Sequence, residues 1–158
     1  MAEREVNLLS VIRTSSPPQL LWSASGAPYL AFDGTTDEFV LVKFRVPDNY
    51  ASNFGVKWKY SMETATSNNV AIRMQVKAVT DGENITTATF DTLESSADDT
   101  VPGTAGLTKE ISHTITNNDS MAAGDYVEIE IGRENATSGT NASNDMYLHN
   151  LVFFYTES

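Results

Sequence analysis

From Asp125 to Arg133 the chain sets apolar and polar side chains in strict turn, with Val127, Ile129 and Ile131 separated by Glu128 and Glu130. A β-strand points successive side chains to opposite faces, so this order gives one apolar face for a core and one charged face for water. A helix would scatter the same residues around its whole circumference, which excludes it. The two-residue rhythm recurs elsewhere. Val56, Trp58, Tyr60 and Met62 share one face of a second segment, and Val70, Ile72, Met74 and Val76 share one face of a third. Between those two, Thr66-Ser67-Asn68-Asn69 has the composition of a hairpin loop. Trp58, Val70, Ile72, Met74, Val76, Val127, Ile129 and Ile131 are therefore expected in the core.

Shorter strands are expected at residues 19–22 and 29–33, around the turn-rich Ser25-Gly26-Ala27-Pro28, and at residues 39–46, stopped by Pro47-Asp48-Asn49. A Thr-rich strand is expected over 85–92, an irregular stretch over 94–106, a strand over 107–116, and a last one over 146–155 after the small polar loop 135–145. About eight strands punctuated by turns define an all-β, single-domain β-sandwich of jelly-roll type spanning residues 19–158. The run Leu151-Val152-Phe153-Phe154-Tyr155 is apolar on both faces. Such a strand is either central and covered on both sides or lies against a neighbouring subunit.

Residues 1–18 read as an extended N-terminal arm. Val6, Leu8, Leu9, Val11 and Ile12 give it an apolar patch, and Pro17-Pro18 set it apart by fixing extended backbone and removing two donors. The segment is too short for a core of its own. One expectation is that the arm anchors a neighbouring subunit, with Arg4 and Arg13 available for acidic rims. The alternative is that it covers its own sandwich as an extra edge strand.

Composition narrows the partners. Of 158 residues, 21 are acidic and 10 are Lys or Arg, for a formal charge of −11. Nucleic-acid binding depends on cations that release phosphate counterions, so no nucleic acid is expected. No stretch approaches the ~20 apolar residues of a membrane span, and the charged start Met1-Ala2-Glu3-Arg4-Glu5 is not a secretory signal. Cysteine is absent, which excludes disulfides, thiolate nucleophiles and zinc–thiolate sites.

Candidate chemistry is sparse. His113 and His149 lie in expected strands with no local motif to orient them as bases or ligands. No serine sits in a nucleophile elbow. Asp37-Glu38 and Asp98-Asp99 are adjacent acids in turns, whereas glycoside hydrolysis needs two carboxyl groups facing each other across a cleft. Asp33-Gly34-Thr35-Thr36-Asp37-Glu38 offers oxygen ligands around a glycine turn, which suits calcium; an aspartate capping its own backbone explains the same residues more simply. Trp58, flanked by Lys57 and Lys59, reads as core, while the face of Trp22 is open. No catalytic residue, cofactor or metal is expected.

Several phrases, in order, resemble the jelly-roll structural proteins of tailed bacteriophages: Ala31-Phe32-Asp33-Gly34-Thr35-Thr36-Asp37-Glu38, Phe44-Arg45-Val46-Pro47-Asp48-Asn49-Tyr50, Val101-Pro102-Gly103-Thr104-Ala105-Gly106-Leu107, Ala123-Gly124-Asp125-Tyr126-Val127, and the closing strand to Tyr155. The arm lies outside the resemblance. It implies a non-enzymatic virion protein assembled in the host cytoplasm, such as a capsid decoration protein or a small neck or tail attachment protein. It further implies a homo-oligomer, commonly a trimer, bound to major capsid or tail and neck proteins, and no catalytic residues. The alternative that the residues leave open is a carbohydrate-binding β-sandwich, which an outward-facing row of Tyr or Trp would favour.

Overall fold

The computed structural model describes residues 1–9, 11–135 and 140–158, with backbone alone for Ile12, Arg13 and Asn135. Among the described residues the elements are all strands: β1 (Ala2–Glu5), β2 (Ile12–Arg13), β3 (Gln19–Trp22), β4 (Pro28–Phe32), β5 (Phe39–Arg45), β6 (Tyr50–Met62), β7 (Asn69–Val79), β8 (Glu94–Ser95), β9 (Asp99–Thr100), β10 (Lys109–Thr114), β11 (Tyr126–Asn135) and β12 (Met146–Glu157). No helix among them is long and apolar enough to cross a membrane.

They form two antiparallel sheets. One runs β10-β6-β12-β4-β3, with β1 also on β12; the other runs β2-β5-β11-β7-β8, with β9 also on β7. From β4 to β7 and again from β9 to β12 the chain passes from one sheet to the other at each step, so those neighbours in sequence lie in opposite sheets. This is a β-sandwich of the jelly-roll type. The eight residues expected in the core from alternation are all fully buried. Trp58 packs on Phe32 with ring centroids 5.1 Å apart. Phe44 of one sheet meets Phe54 and Phe153 of the other at 5.9 and 5.6 Å, closing the layer with aromatic contacts. Burying each such side chain contributes about 1.5–3 kcal/mol.

The expected loop between the two segments spans residues 63–68, with Asn69 already opening β7, and Asn68 takes a left-handed φ of 74°, which asparagine tolerates. The closing run is central. Through β12, Leu151 and Phe153 enter the core, while on the other face Val152 is half-buried and the Lys57 ammonium lies 6.0 Å from the centre of the Phe154 ring.

Three expectations change. The Thr-rich segment 85–92 forms turns instead of a strand, because Asn84 Oδ1 accepts the backbone N–H and hydroxyl of Thr86 and the Asn84 carbonyl accepts from Thr87 and Ala88. Local side-chain bonding there outcompetes the β-propensity of threonine. The irregular stretch 94–106 contains β8 and β9, which pair with β7. Glu128, on the outward face, is nearly buried between Lys43 at 3.2 Å and Lys77 at 2.6 Å. Burial works against its carboxylate, but the two lysines and Tyr126 hold its pKa below the usual range.

Gly132 sits where β11 passes closest to the start of β5, and a Cβ there would run into the Glu38 carbonyl and the Phe39 ring. Gly132→Ala is expected to cost about 1–3 kcal/mol in urea denaturation. Gly103→Ala, where a Cβ meets open space, should leave the midpoint nearly unchanged.

Candidate binding surface

The outward face of the β4–β12–β6 sheet carries a contiguous group of rings. Alternation along β4 sends Leu30 and Phe32 inward and Tyr29 outward. Pairing of Ala31 with Tyr147 and of Leu30 with Leu148 brings Tyr147 alongside. Between Leu148 and Asn150 the register of β12 against β6 shifts by one residue, a bulge that turns both His149 and Asn150 outward. The Tyr29 ring lies 4.9 Å from that of Tyr147 and 5.5 Å from that of His149, tilted by 46° and 45°. His149 Nε2 is fixed by Ser61 Oγ at 2.8 Å. Loss of part of its surrounding water pulls the His149 pKa below its usual value. Loss of water, with the Glu63 carboxylate beside it, pushes the Tyr147 phenol up to about 12. Tyr29 and Tyr147 are half-buried and His149 is exposed.

Of the clefts that border the arm, two have its apolar residues in their walls. One of about 440 Å³ lies next to the rings, between Glu5, Val6, Asn7 and Leu8 on one side and Ala27, Pro28 and His149 on the other. The second, about 310 Å³, lies beneath the arm where the sandwich opens, with Val6, Val11, Val42, Phe44 and Phe153 among its walls. The arm residues are divided. Val6 is half-buried and donates its N–H to the Leu151 carbonyl at 2.8 Å; Leu8 is buried; Val11 packs on the core; Leu9 is 52% exposed. Ile12 pairs with Leu41 through its backbone, and the side chains of Ile12 and Arg13 lie outside the described residues. β1 adds to β12 and β2 to β5, so in this single chain the arm bridges the edges of its own two sheets. The stretch before β3 is also fastened: Pro18 is buried, and Phe39 donates to the Ser16 carbonyl. Trp22 is 57% exposed at the end of β3, opposite Pro28.

The remaining candidates are tied into the scaffold. His113 Nε2 lies 2.6 Å from Glu94, whose carboxylate also accepts from Thr116 and Asn117 and so joins β8 to the end of β10. Asp33 Oδ1 accepts from the N–H and hydroxyl of Thr35 and from the N–H of Thr36, while Glu38 accepts from the Asp33 N–H. These bonds hold the Asp33 pKa below its usual value. Asp37 pairs with Arg73 at 2.9 Å. The buried Arg133 donates to the carbonyls of Ala142 and Asn144, and its charge faces Asp33 and Asp145. Among the described residues no three His, Asp or Glu groups converge as a metal site. The ring patch was not singled out from the sequence. The spacing of Tyr147 and His149 on one strand was its sole local signal.

No protein-family model and no curated protein matches this chain. Solved structures similar to it include an exo-β-1,3-galactanase from Phanerochaete chrysosporium with β-1,3-galactotriose (13% identity, TM-score 0.51), of which this chain, over 98% of its length, covers 30%. Others are the C-terminal CBM6 of the laminarinase LamC from Zobellia galactanivorans (12% identity, TM-score 0.48, 96% of this chain and 98% of that one) and infectious bursal disease virus, Gx strain (9% identity, TM-score 0.44, 96% and 31%). At these identities the likeness is one of fold.

Burial opposes the Glu94 carboxylate, but donors from Asn117, His113 and Thr116 outweigh it and hold its pKa below the usual glutamate value. A lowered folded pKa gives stability that is present above the unfolded value of about 4.3 and is lost as pH falls through the folded one. Glu94→Gln is expected to lower stability at neutral pH by about 1–3 kcal/mol. Its urea midpoint should also fall less than that of the parent between neutrality and about pH 3.

Proposed function

We propose that this chain is a non-catalytic structural protein of a tailed-phage virion, a capsid decoration protein that works by binding other subunits. It assembles in the host cytoplasm as a homo-oligomer, a trimer by the resemblance, and joins the major capsid protein; a neck or tail attachment protein is the nearest variant of this reading. The observation that supports it is the attachment of the arm. Two strands, of four and two residues, fasten it to the sandwich. It spans a cleft it does not fill, and it leaves Leu9 exposed. An apolar segment held this lightly can give the same strand pairing to a neighbouring copy, where the bonds are equivalent and association adds buried surface. The acids and histidine that could serve chemistry are instead occupied as turn caps and ion pairs.

A second reading, a carbohydrate-binding sandwich, is favoured by one observation: Tyr29, Tyr147 and His149 face outward as a continuous patch.

Deleting residues 2–16 tests the first reading. The expected product is a folded body, by circular dichroism, that runs as a monomer in light scattering and is missing from purified particles. Normal oligomerisation and incorporation of the truncated protein would overturn it.

A further inference from the structure

We propose that the patch of Tyr29, Tyr147 and His149 is a binding site for a neutral hexopyranose, a site that deepens and rests on the carbohydrate-binding reading. Three properties point to this ligand chemistry. First, the site is built before any ligand arrives. The bulge at Leu148–Asn150 interrupts the regular pairing of β12 with β6, and what it gains is His149 set against Tyr29 and held by Ser61 Oγ. Preorganised rings cost little entropy on binding.

Second, the rings touch one another. Centroid spacings of 4.9 and 5.5 Å with tilts near 45° leave no hole between them. They therefore offer a surface, about the breadth of one pyranose ring, against which the C–H face of a sugar can lie. A caged organic cation needs rings standing around an open space, and this arrangement has none.

Third, the lysines on the same face are already paired. Lys57 pairs with Glu3, Lys59 lies 3.9 Å from Glu110, and Asn150 donates to Glu5 at 2.5 Å. An anionic ligand would find no uncommitted counter-charge in these lysines and would meet the repulsion of a chain with net charge −11. Hydroxyl groups fit better. The half-buried Asn150 and the exposed Glu63, which lies beside Tyr147, put polar groups at the margin of the patch. An apolar face with polar groups at its margin is what an amphipathic ring requires.

The test uses the full chain on an array of neutral and charged oligosaccharides, followed by calorimetric titration of the neutral glycan it retains. Tyr29→Ala and Tyr147→Ala are each expected to weaken that binding at least about tenfold. Phe90→Ala, which removes a ring that sits against Lys77 on the other sheet, should leave binding unchanged. A measurement on the unmutated protein guards against variants that fail to fold: titrating the sugar should shift the NMR signals of Tyr29, Tyr147 and His149 ahead of all others. Glycan binding that survives both tyrosine substitutions, or shifts elsewhere, would overturn the site and leave the carbohydrate reading standing. Retention of no neutral glycan, or of charged ones alone, would overturn both.

Discussion

The arrangement depends on how β12 satisfies its backbone. This strand is central, and its N–H and C=O groups point alternately to its two edges, so it needs partners on both sides. On one side β6 supplies them for nearly the whole length, from Met146 opposite Met62 to Glu157 opposite Tyr50. On the other side no single strand does. β4 pairs with Met146, Tyr147 and Leu148 and then ends, and β1 takes over from Val152 to Tyr155. Between the two lies the bulge. The same division of labour places the ring patch, opens the cleft beside it and makes the arm part of the sandwich.

Much of this architecture was legible in the residues, and the limits are physical. Alternation in β6, β7 and β11 identified the inward faces, because a half-buried strand has one consistent way to present Val127, Ile129 and Ile131. It could not identify neighbours. Tyr29 and Tyr147 are more than a hundred positions apart, and what joins them is the pairing of Ala31 with Tyr147, a non-local register that local pattern does not encode. The bulge is equally silent, since His149 and Asn150 look like ordinary alternating residues until both turn outward. In residues 85–92 the bias of threonine toward strands was real but lost to the side chain of Asn84. The arm was readable as apolar and extended, but its destination depends on which sheet edges are free.

The acidity takes a different meaning once charges are placed. On the outer face of the β5–β11–β7 sheet the few cations are concentrated against acids: Lys43 and Lys77 flank Glu128, and Arg73 joins Asp37 while lying 4.6 Å over the Phe39 ring. Cross-strand pairs of this kind fix register and discourage edge-to-edge association on that side. At one end of the sandwich, buried Arg133 draws the carbonyls of Ala142 and Asn144 over the core and supplies the positive charge facing Asp33 and Asp145. The guanidinium thus holds Ala142 and Asn144 in place together with the backbone bonds of Asn69 to Thr140 and Ala142.

The pairing of Ala2 with Tyr155 has a consequence for anything joined to this domain. Because β1 and β12 run antiparallel in that register, the polypeptide enters and leaves the fold at neighbouring points on the same rim. A payload fused before residue 2 and another fused after residue 157 would project side by side in one direction. The opposite end of the sandwich would stay clear, and the domain would act as a one-sided mounting bracket.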